Sequence, residues 1–213
     1  MSLTKTPICD FGKKAESFEL LSTDNTNINL EDVKGENGTL IMFICNHCPY
    51  VKGVIQNIVD DTNDLKKIGV NSVAIMSNDT NNYPDDSFDK MKIFSDENKF
   101  NFPYLFDESQ EIAKKFGAVC TPDFFGYNKN LELQYRGRIR ELKDLEAVQE
   151  GHSDLLNAMT LIAKLAKVHL NKYLVWVVIL SGLKINALDC NKIFPTRSWR
   201  NAKFNVGFGK LTF

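Results

Sequence analysis

The sequence lacks the features that would place the protein at a membrane or on a polyanion. Lys and Arg number 26 and Asp and Glu number 27, and the resulting net charge of −1 attracts neither nucleic acid nor anionic lipid. The longest apolar run, residues 173–180, is far shorter than the ~20 residues that span a bilayer. Residues 1–30 interleave charged and polar side chains and contain no apolar core of a signal peptide. These absences predict a cytoplasmic protein with neither nucleic-acid nor membrane partners.

Cysteine is also scarce, with five residues in a chain of 213. An odd number of unevenly spaced cysteines does not form a disulfide scaffold, and in a reducing cytosol such residues are catalytic, metal-binding or inert. Two of them, Cys45 and Cys48, form a Cys-x-x-Cys pair. The cysteines therefore direct attention to one short segment of the chain.

The pattern of apolar residues predicts an α/β fold built on a central mixed sheet flanked by helices. The composition, 43% hydrophobic and 25% charged, is sufficient for one sizeable core. Short apolar runs without polar alternation predict buried strands, and apolar residues three or four apart predict helices. Strands are predicted at 39–44, 70–76, 102–106, 124–127 and 131–135, and helices at 49–68, 88–98, 109–116 and 142–165, the last broken near Gly151.

The Cys-x-x-Cys pair lies where the predicted strand 39–44 meets the predicted helix. This position puts Cys45 at the helix N-terminus, where free N–H groups stabilise a thiolate. Cys45 is then the nucleophile. Cys48 lies one helical turn further along the chain and attacks the mixed disulfide that forms on Cys45. A protonated His47 favours the thiolate further, so the pKa of Cys45 is expected below that of an ordinary thiol.

A metal-binding redox sensor is an alternative use of the same residues. A structural zinc site needs four ligands, and the chain has no second Cys-x-x-Cys. The available additional ligands are His47 and Cys120. Redox chemistry without a metal or a dissociable cofactor is therefore favoured.

Two motifs resemble a known superfamily. Residues 43–52, FICNHCPYVK, and residues 117–125, GAVCTPDFF, are similar to the thioredoxin-fold redoxins of the alkyl hydroperoxide reductase and thiol-specific antioxidant superfamily, in particular a peroxiredoxin-like thioredoxin group with a CNHCPYVK motif. The resemblance covers residues 8–164 and implies a thioredoxin-like fold. It also implies that Pro122 is a cis-proline facing the cysteines, so that Thr121 and Pro122 flank Cys45 and shape a substrate groove. Residues 83–86 resemble a loop that follows the second core strand.

Cys120 departs from plain thioredoxins. It lies two residues before Pro122, so both side chains can share a face of an extended segment. Cys120 is a candidate third redox thiol or metal ligand, or a small buried hydrophobic residue.

The superfamily includes peroxidases, but one peroxidase feature is missing. Typical peroxiredoxins place a Thr or Ser three residues before the reactive cysteine, whereas Met42 precedes Cys45 and Cys45 precedes Cys48 at that distance. Disulfide exchange with protein disulfides or small thiols is therefore favoured over a thiol-dependent peroxidase that reduces peroxides. The electron donor is not indicated.

Two charged groups are predicted to be solvated. Arg136 and Arg138 could polarise a peroxide, but arginines at a strand end usually face water. Asp60, Asp61 and Asp64 lie largely opposite the apolar stripe of their helix and predict a solvated face.

Residues 165–213 do not fit the redoxin domain at 1–164. Relatives in the suspected group end with segments like TGKGP and QIPSMGCSIKW. If the reading frame is shifted by one nucleotide between Lys164 and Leu165, the codons of residues 165–169 can encode Thr-Gly-Lys-Gly-Pro. In the same shifted frame, the Trp176 codon can supply the end of a Met codon and the start of a Gly codon, as the Met-Gly pair in QIPSMGCSIKW requires. The sequence therefore predicts an out-of-frame, poorly packed tail. The alternative is a real extension that docks on the fold or on a membrane surface.

Overall fold

A seven-stranded mixed sheet organises the chain in the computed structural model, which describes residues 9–148 and 153–166. The strand order is β2-β1-β5-β4-β3-β6-β7. The strands are β1 (Glu19–Ser22), β2 (Asn27–Asn29), β3 (Gly38–Phe43), β4 (Val70–Met76), β5 (Tyr104–Phe106), β6 (Asp123–Asn128) and β7 (Leu133–Gly137), with β8 (Leu142–Lys143) and β9 (Glu146–Ala147) in a separate hairpin. The helices are α1 (Pro49–Lys52), α2 (Ile55–Lys67), α3 (Phe88–Glu97), α4 (Glu111–Phe116) and α5 (Asp154–Ala166), with a 3-10 turn at Pro84–Asp86.

The centre of the sheet is parallel and its margins are antiparallel. β3 and β5 pair in parallel with β4, while β6 joins β3, β7 joins β6 and β1 joins β5 in antiparallel register. Helix α2 packs on β4, and α5 packs on β3, β6 and β7. The predicted α/β fold, a thioredoxin-like mixed sheet flanked by helices, is confirmed.

The buried strand β3 supplies side chains to both faces of the sheet. Ile41 and Phe43 belong to one apolar cluster, in which the Phe43 ring lies 5.5 Å from that of Phe116 and 5.6 Å from that of Phe125. Leu40 and Met42 alternate with them and are also fully buried. Because side chains alternate along a strand, a continuous apolar run is what a doubly covered strand requires.

The helix predicted at 142–165 is wrong over its first part. The chain forms the β8–β9 hairpin there, and α5 begins only at Asp154. The apolar spacing of Leu142, Leu145 and Val148 imitates a helix, but Asp144 and Leu145 adopt positive φ angles of 52° and 67° and make a two-residue turn. The helix predicted at 49–68 is likewise divided into α1 and α2. The strands β1 and β2 were not predicted.

Two of the side chains expected to be solvated are buried. The side chain of Arg136 is 5% exposed and pairs with Asp123 at 2.7 Å, with a further hydrogen bond to Gly117 O. Asp61 is 4% exposed and accepts a hydrogen bond from Ser153, which docks α2 against the start of α5. Arg138 is exposed and pairs with Asp154, as expected of a solvated group.

Two further predictions, on membrane spans and on the tail, concern residues that the structure describes only in part. Among the helices of 9–148 and 153–166, none has the length and apolar character needed to cross a membrane. The predicted tail at 165–213 lies outside the described residues from position 167 onwards.

Candidate active site

The sheet register brings two distant segments to the cysteine pair. β3 ends at Phe43, which pairs with Asp123 of β6 in antiparallel register. Continuing that register by two residues places Thr121 opposite Cys45. The Thr121–Pro122 peptide bond is cis.

Both sulfur atoms lie against Thr121. Cys45 Sγ is 3.2 Å from Thr121 Oγ1, and Cys48 Sγ is 3.2 Å from the carbonyl oxygen of the same residue. Cys45 and Cys48 are thiols rather than a disulfide, and both sulfurs contact the same residue. Two thiols held at one residue are arranged for a two-cysteine redox cycle.

The structure reverses the expected difference between the two thiols. Helix α1 begins at Pro49 with Cys48, not Cys45, at its N-cap. The hydrogen bond from Cys45 lowers the pKa of Cys48, and the N–H groups of Val51 and Tyr50 lower it further against the effect of burial. The pKa of Cys45 is raised by the same hydrogen bond, by burial and by the charge of Asp86. The prediction of a low Cys45 pKa is wrong because the helix, which begins at Pro49 as predicted, has Cys48 rather than Cys45 at its N-terminus.

A buried carboxylate holds the segment between the cysteines. Asp86 is fully buried, and its Oδ1 accepts hydrogen bonds from the backbone N–H groups of Asn46 (2.8 Å) and His47 (3.2 Å). Its Oδ2 lies 2.6 Å from His47 Nδ1 and accepts from Asn78 Nδ2 at 2.7 Å. His47 also stacks on Tyr83, with ring centroids 4.7 Å apart. This arrangement favours a proton on His47 Nδ1 and fixes the orientation of the ring.

The same residues could be considered as a metal site. Cys45, His47 and Asp86 each offer a ligand atom, and these atoms lie within 4.8 Å of one another. Both oxygens of Asp86 already accept two hydrogen bonds each. Three potential ligands, one of them fully engaged, fit a structural zinc site poorly.

A cavity of about 670 Å³ opens beside the cysteines. Cys48, His47, Thr121 and Pro122 line it, whereas Cys45 is fully buried beneath. Cys120 also lines this cavity and is exposed, so its interpretation as a small buried hydrophobic residue is wrong. Partial burial of the sulfur raises the pKa of the Cys120 thiol.

Known proteins are similar to this chain in both sequence and fold. Residues 11–142 match the AhpC/TSA family. Peroxiredoxin Bcp of Escherichia coli K12 is 25% identical over 152 residues, which cover 68% of this chain and 92% of that protein. A conserved protein of Geobacillus kaustophilus superposes with a TM-score of 0.73 at 39% identity, over 77% of this chain and 87% of that one. A protein of Sinorhizobium meliloti superposes with a TM-score of 0.68 at 30% identity, over 73% and 85%.

The family match spans more than half of the chain and includes the cysteine pair, Asp86 and the Thr121–Pro122 segment. The peroxiredoxin relative aligns over nearly its whole length. The chain therefore belongs to the AhpC/TSA family and is a thioredoxin-fold oxidoreductase with thiol or peroxide substrates.

Proposed function

We propose that the protein is a thiol–disulfide oxidoreductase in which Cys45 and Cys48 alternate between dithiol and disulfide. The observation that carries this proposal is the shared contact of the two thiols, both of which lie 3.2 Å from atoms of Thr121. An intramolecular disulfide joins them in the oxidised protein. The substrates are protein disulfides or small disulfides.

In this cycle Cys48 attacks first. Its thiolate is the more stable of the two, and it faces the cavity that a substrate enters. The thiolate bonds to one sulfur of the substrate disulfide, and the other substrate sulfur leaves as a thiolate. Cys45 then loses its proton and bonds to the Cys48 sulfur, and the second substrate sulfur leaves. The substrate gains two electrons, and the protein is left with a Cys45–Cys48 disulfide.

His47 is the proton carrier in this proposal. The ligating atoms of Cys45 and His47 lie within 4.8 Å, and His47 also lines the cavity through which the thiol product leaves. Because Asp86 engages Nδ1, Nε2 is the ring atom left to exchange a proton. The ring can therefore take the proton of Cys45 and return it to the departing thiolate.

Serine variants of the cysteines test the cycle and the assignment of the attacking sulfur. We expect the Cys45→Ser protein to accumulate a mixed disulfide on Cys48 when a small disulfide is added, as located by peptide mass spectrometry. The Cys48→Ser protein should react at least about tenfold more slowly, because its remaining thiol is buried and protonated. Cys120→Ser is the control and should match the unmodified protein. A mixed disulfide that accumulates on Cys45 in the Cys48→Ser protein would overturn the assignment.

A thiol-dependent peroxidase is the second candidate, and one contact favours it. The Thr121 hydroxyl lies 3.2 Å from Cys45 Sγ, so a hydroxyl absent from the local sequence motif is supplied by a distant segment. In such a reaction a thiolate bonds to one peroxide oxygen, the O–O bond breaks, and the other oxygen leaves as water. The second thiol then displaces the hydroxyl group of the sulfenic acid, which gives the disulfide and a second water. Rapid consumption of hydrogen peroxide that is lost in Thr121→Val and retained in Thr121→Ser would select this function over disulfide exchange.

A further inference from the structure

The charge around the Cys48 cavity differs from that of the whole chain. The chain carries a net charge of −1. Among the described residues that line the cavity, three are cations and none is Asp or Glu. The cations are Lys114, Arg138 and Arg140. The cavity is therefore a local positive site in a nearly neutral protein.

Two of these cations are available to a ligand. Arg138 is already paired with Asp154 at 2.8 Å. Arg140 is half-buried and forms no ion pair with any described residue, and its Nη1 makes only a 3.4 Å contact with Val148 O. Lys114 is exposed on α4 and forms no ion pair with any described residue.

The rest of the cavity wall is largely apolar. Val54, Phe124, Ile139 and Leu142 contribute to it. Its volume of about 670 Å³ is that of a small-molecule site rather than of an extended protein interface. The lining therefore fits a short aliphatic chain that ends in an anionic group.

We propose that the cavity binds low-molecular-weight disulfides that bear carboxylates, and that Arg140 and Lys114 hold a carboxylate while the substrate sulfur meets Cys48. This inference rests on the proposed disulfide exchange and names its substrate class. Reduction of one such disulfide yields two thiol-carboxylates and oxidises Cys45 and Cys48 to a disulfide, so two electrons and two protons pass from protein to substrate.

The test compares three small disulfides of different charge. The reduced full-length protein is mixed with 3,3′-dithiodipropionate, 2-hydroxyethyl disulfide or cystamine, and the loss of thiols is followed over time. Each rate constant is divided by that of dithiothreitol with the same disulfide, which removes differences in intrinsic reactivity. We expect the normalised rate to be about tenfold higher for the dicarboxylate than for the neutral disulfide at low salt, and lowest for the dication.

Charge-removal variants connect this preference to the two side chains. The ratio of dicarboxylate to neutral rates should fall about threefold or more in Arg140→Met and in Lys114→Met, since each loses one cation. Lys115→Met is the matched control, because Lys115 is the next residue on α4, is also exposed and does not line this cavity. Lys114→Met keeps the test valid if Arg140→Met fails to fold.

The outcomes separate this inference from the proposed function. Equal normalised rates for all three disulfides, or an equal loss of preference in Lys115→Met, would overturn the substrate class and leave disulfide exchange intact. Slow reaction with every small disulfide but fast reaction with a protein disulfide would also overturn the inference alone. Slow reaction with small and protein disulfides alike would overturn the proposed function itself.

Discussion

At the scale of single residues, two cysteines three positions apart have opposite acid–base character. A hydrogen bond from Cys45 and two backbone N–H groups lower the pKa of Cys48, while the same hydrogen bond, burial and Asp86 raise that of Cys45. Only the thiolate is alkylated, and ordinary thiols ionise near pH 8.5, so a lowered pKa keeps Cys48 reactive below that pH. Treating the reduced protein with iodoacetamide at about pH 6.5 should modify Cys48 first, as mapped by peptide mass spectrometry. Modification of Cys45 ahead of Cys48 would contradict the assignment.

The hydrogen bonds of Asp86 are expected to stabilise the fold. Asn in its place would point an N–H₂ group at His47 Nδ1 and Asn78 Nδ2, where two donors now meet Oδ2. Asp86→Asn should therefore lower the free energy of unfolding by about 2–3 kcal/mol, measured by urea denaturation. Asp85→Asn, an exposed neighbour, is the control and should change it by less than about 0.5 kcal/mol. Equal losses of unfolding free energy in the two variants would show that the hydrogen bonds of Asp86 do not stabilise the fold.

The sequence predicted some of these residues and missed others for a physical reason. Cys45, Cys48, Thr121 and Pro122 belong to recognisable local motifs, and the structure brings them together. Asp86 is 40 residues from Asn46 in the chain and sits in a polar loop that contains other aspartates. No local pattern distinguishes the one carboxylate that turns inward. The predicted helix start at residue 49 is confirmed, but the sequence placed Cys45 at the helix N-terminus, whereas Cys48 is the N-cap.

At the scale of elements, the β8–β9 hairpin approaches the helices that follow the cysteines. A Cβ atom on Gly53, between α1 and α2, would overlap the carbonyl oxygen of Leu145. Gly53 has an ordinary φ of −66°, so the constraint is close approach rather than backbone conformation. Gly53→Ala should displace the hairpin and lower the unfolding free energy by about 1–3 kcal/mol, whereas Lys52→Ala, an exposed control, should have little effect. Equal thermal midpoints for the two variants would exclude this contact.

Asp61, at the junction of α2 and α5, is expected to make the stability of the protein depend on pH. Burial raises the pKa of Asp61 above the value of ~3.9 expected in the unfolded chain. The folded protein therefore retains a proton that the unfolded chain has lost, so the contribution of Asp61 to stability is greatest at low pH and falls as the pH rises through its folded pKa. Asp61→Asn should gain stability relative to the unmodified protein between about pH 4 and 7. Asp60→Asn, which changes an exposed carboxylate, should show no such trend. A constant difference across that range would contradict the raised pKa.

The strands that the sequence predicted most closely are those buried on both faces. β3 and β4 are largely continuous apolar runs, and a short run of this kind is typical of a strand that is covered on both sides. β1 and β2 are short and half exposed, and they depend on β5 for their place in the sheet. Their pairing is a long-range property that four residues do not encode. The β8–β9 hairpin was missed because its apolar spacing fits a helix equally well.

At the scale of the whole molecule, the fold extends beyond the region that matches the family. The match ends at residue 142, yet α5 (Asp154–Ala166) covers β3, β6 and β7. Leu155 and Met159 of α5 are fully buried and Ile162 is 1% exposed. A Cβ on Gly126 would overlap Met159 Sδ, so helix and sheet are in close contact. The redoxin domain therefore requires the chain as far as α5.

This contact leads to a prediction about the residues that follow α5. A chain of residues 1–166 should unfold within about 1 kcal/mol of the full-length protein and exchange disulfides at the same rate, because it keeps the buried side chains of α5. A chain of residues 1–152 is the control and should fail to fold, because it loses the buried side chains of Leu155, Met159 and Ile162. Urea denaturation and the disulfide-exchange assay measure both properties. Loss of folding in the 1–166 chain would mean that the tail is a functional extension, against the predicted reading-frame shift after Lys164.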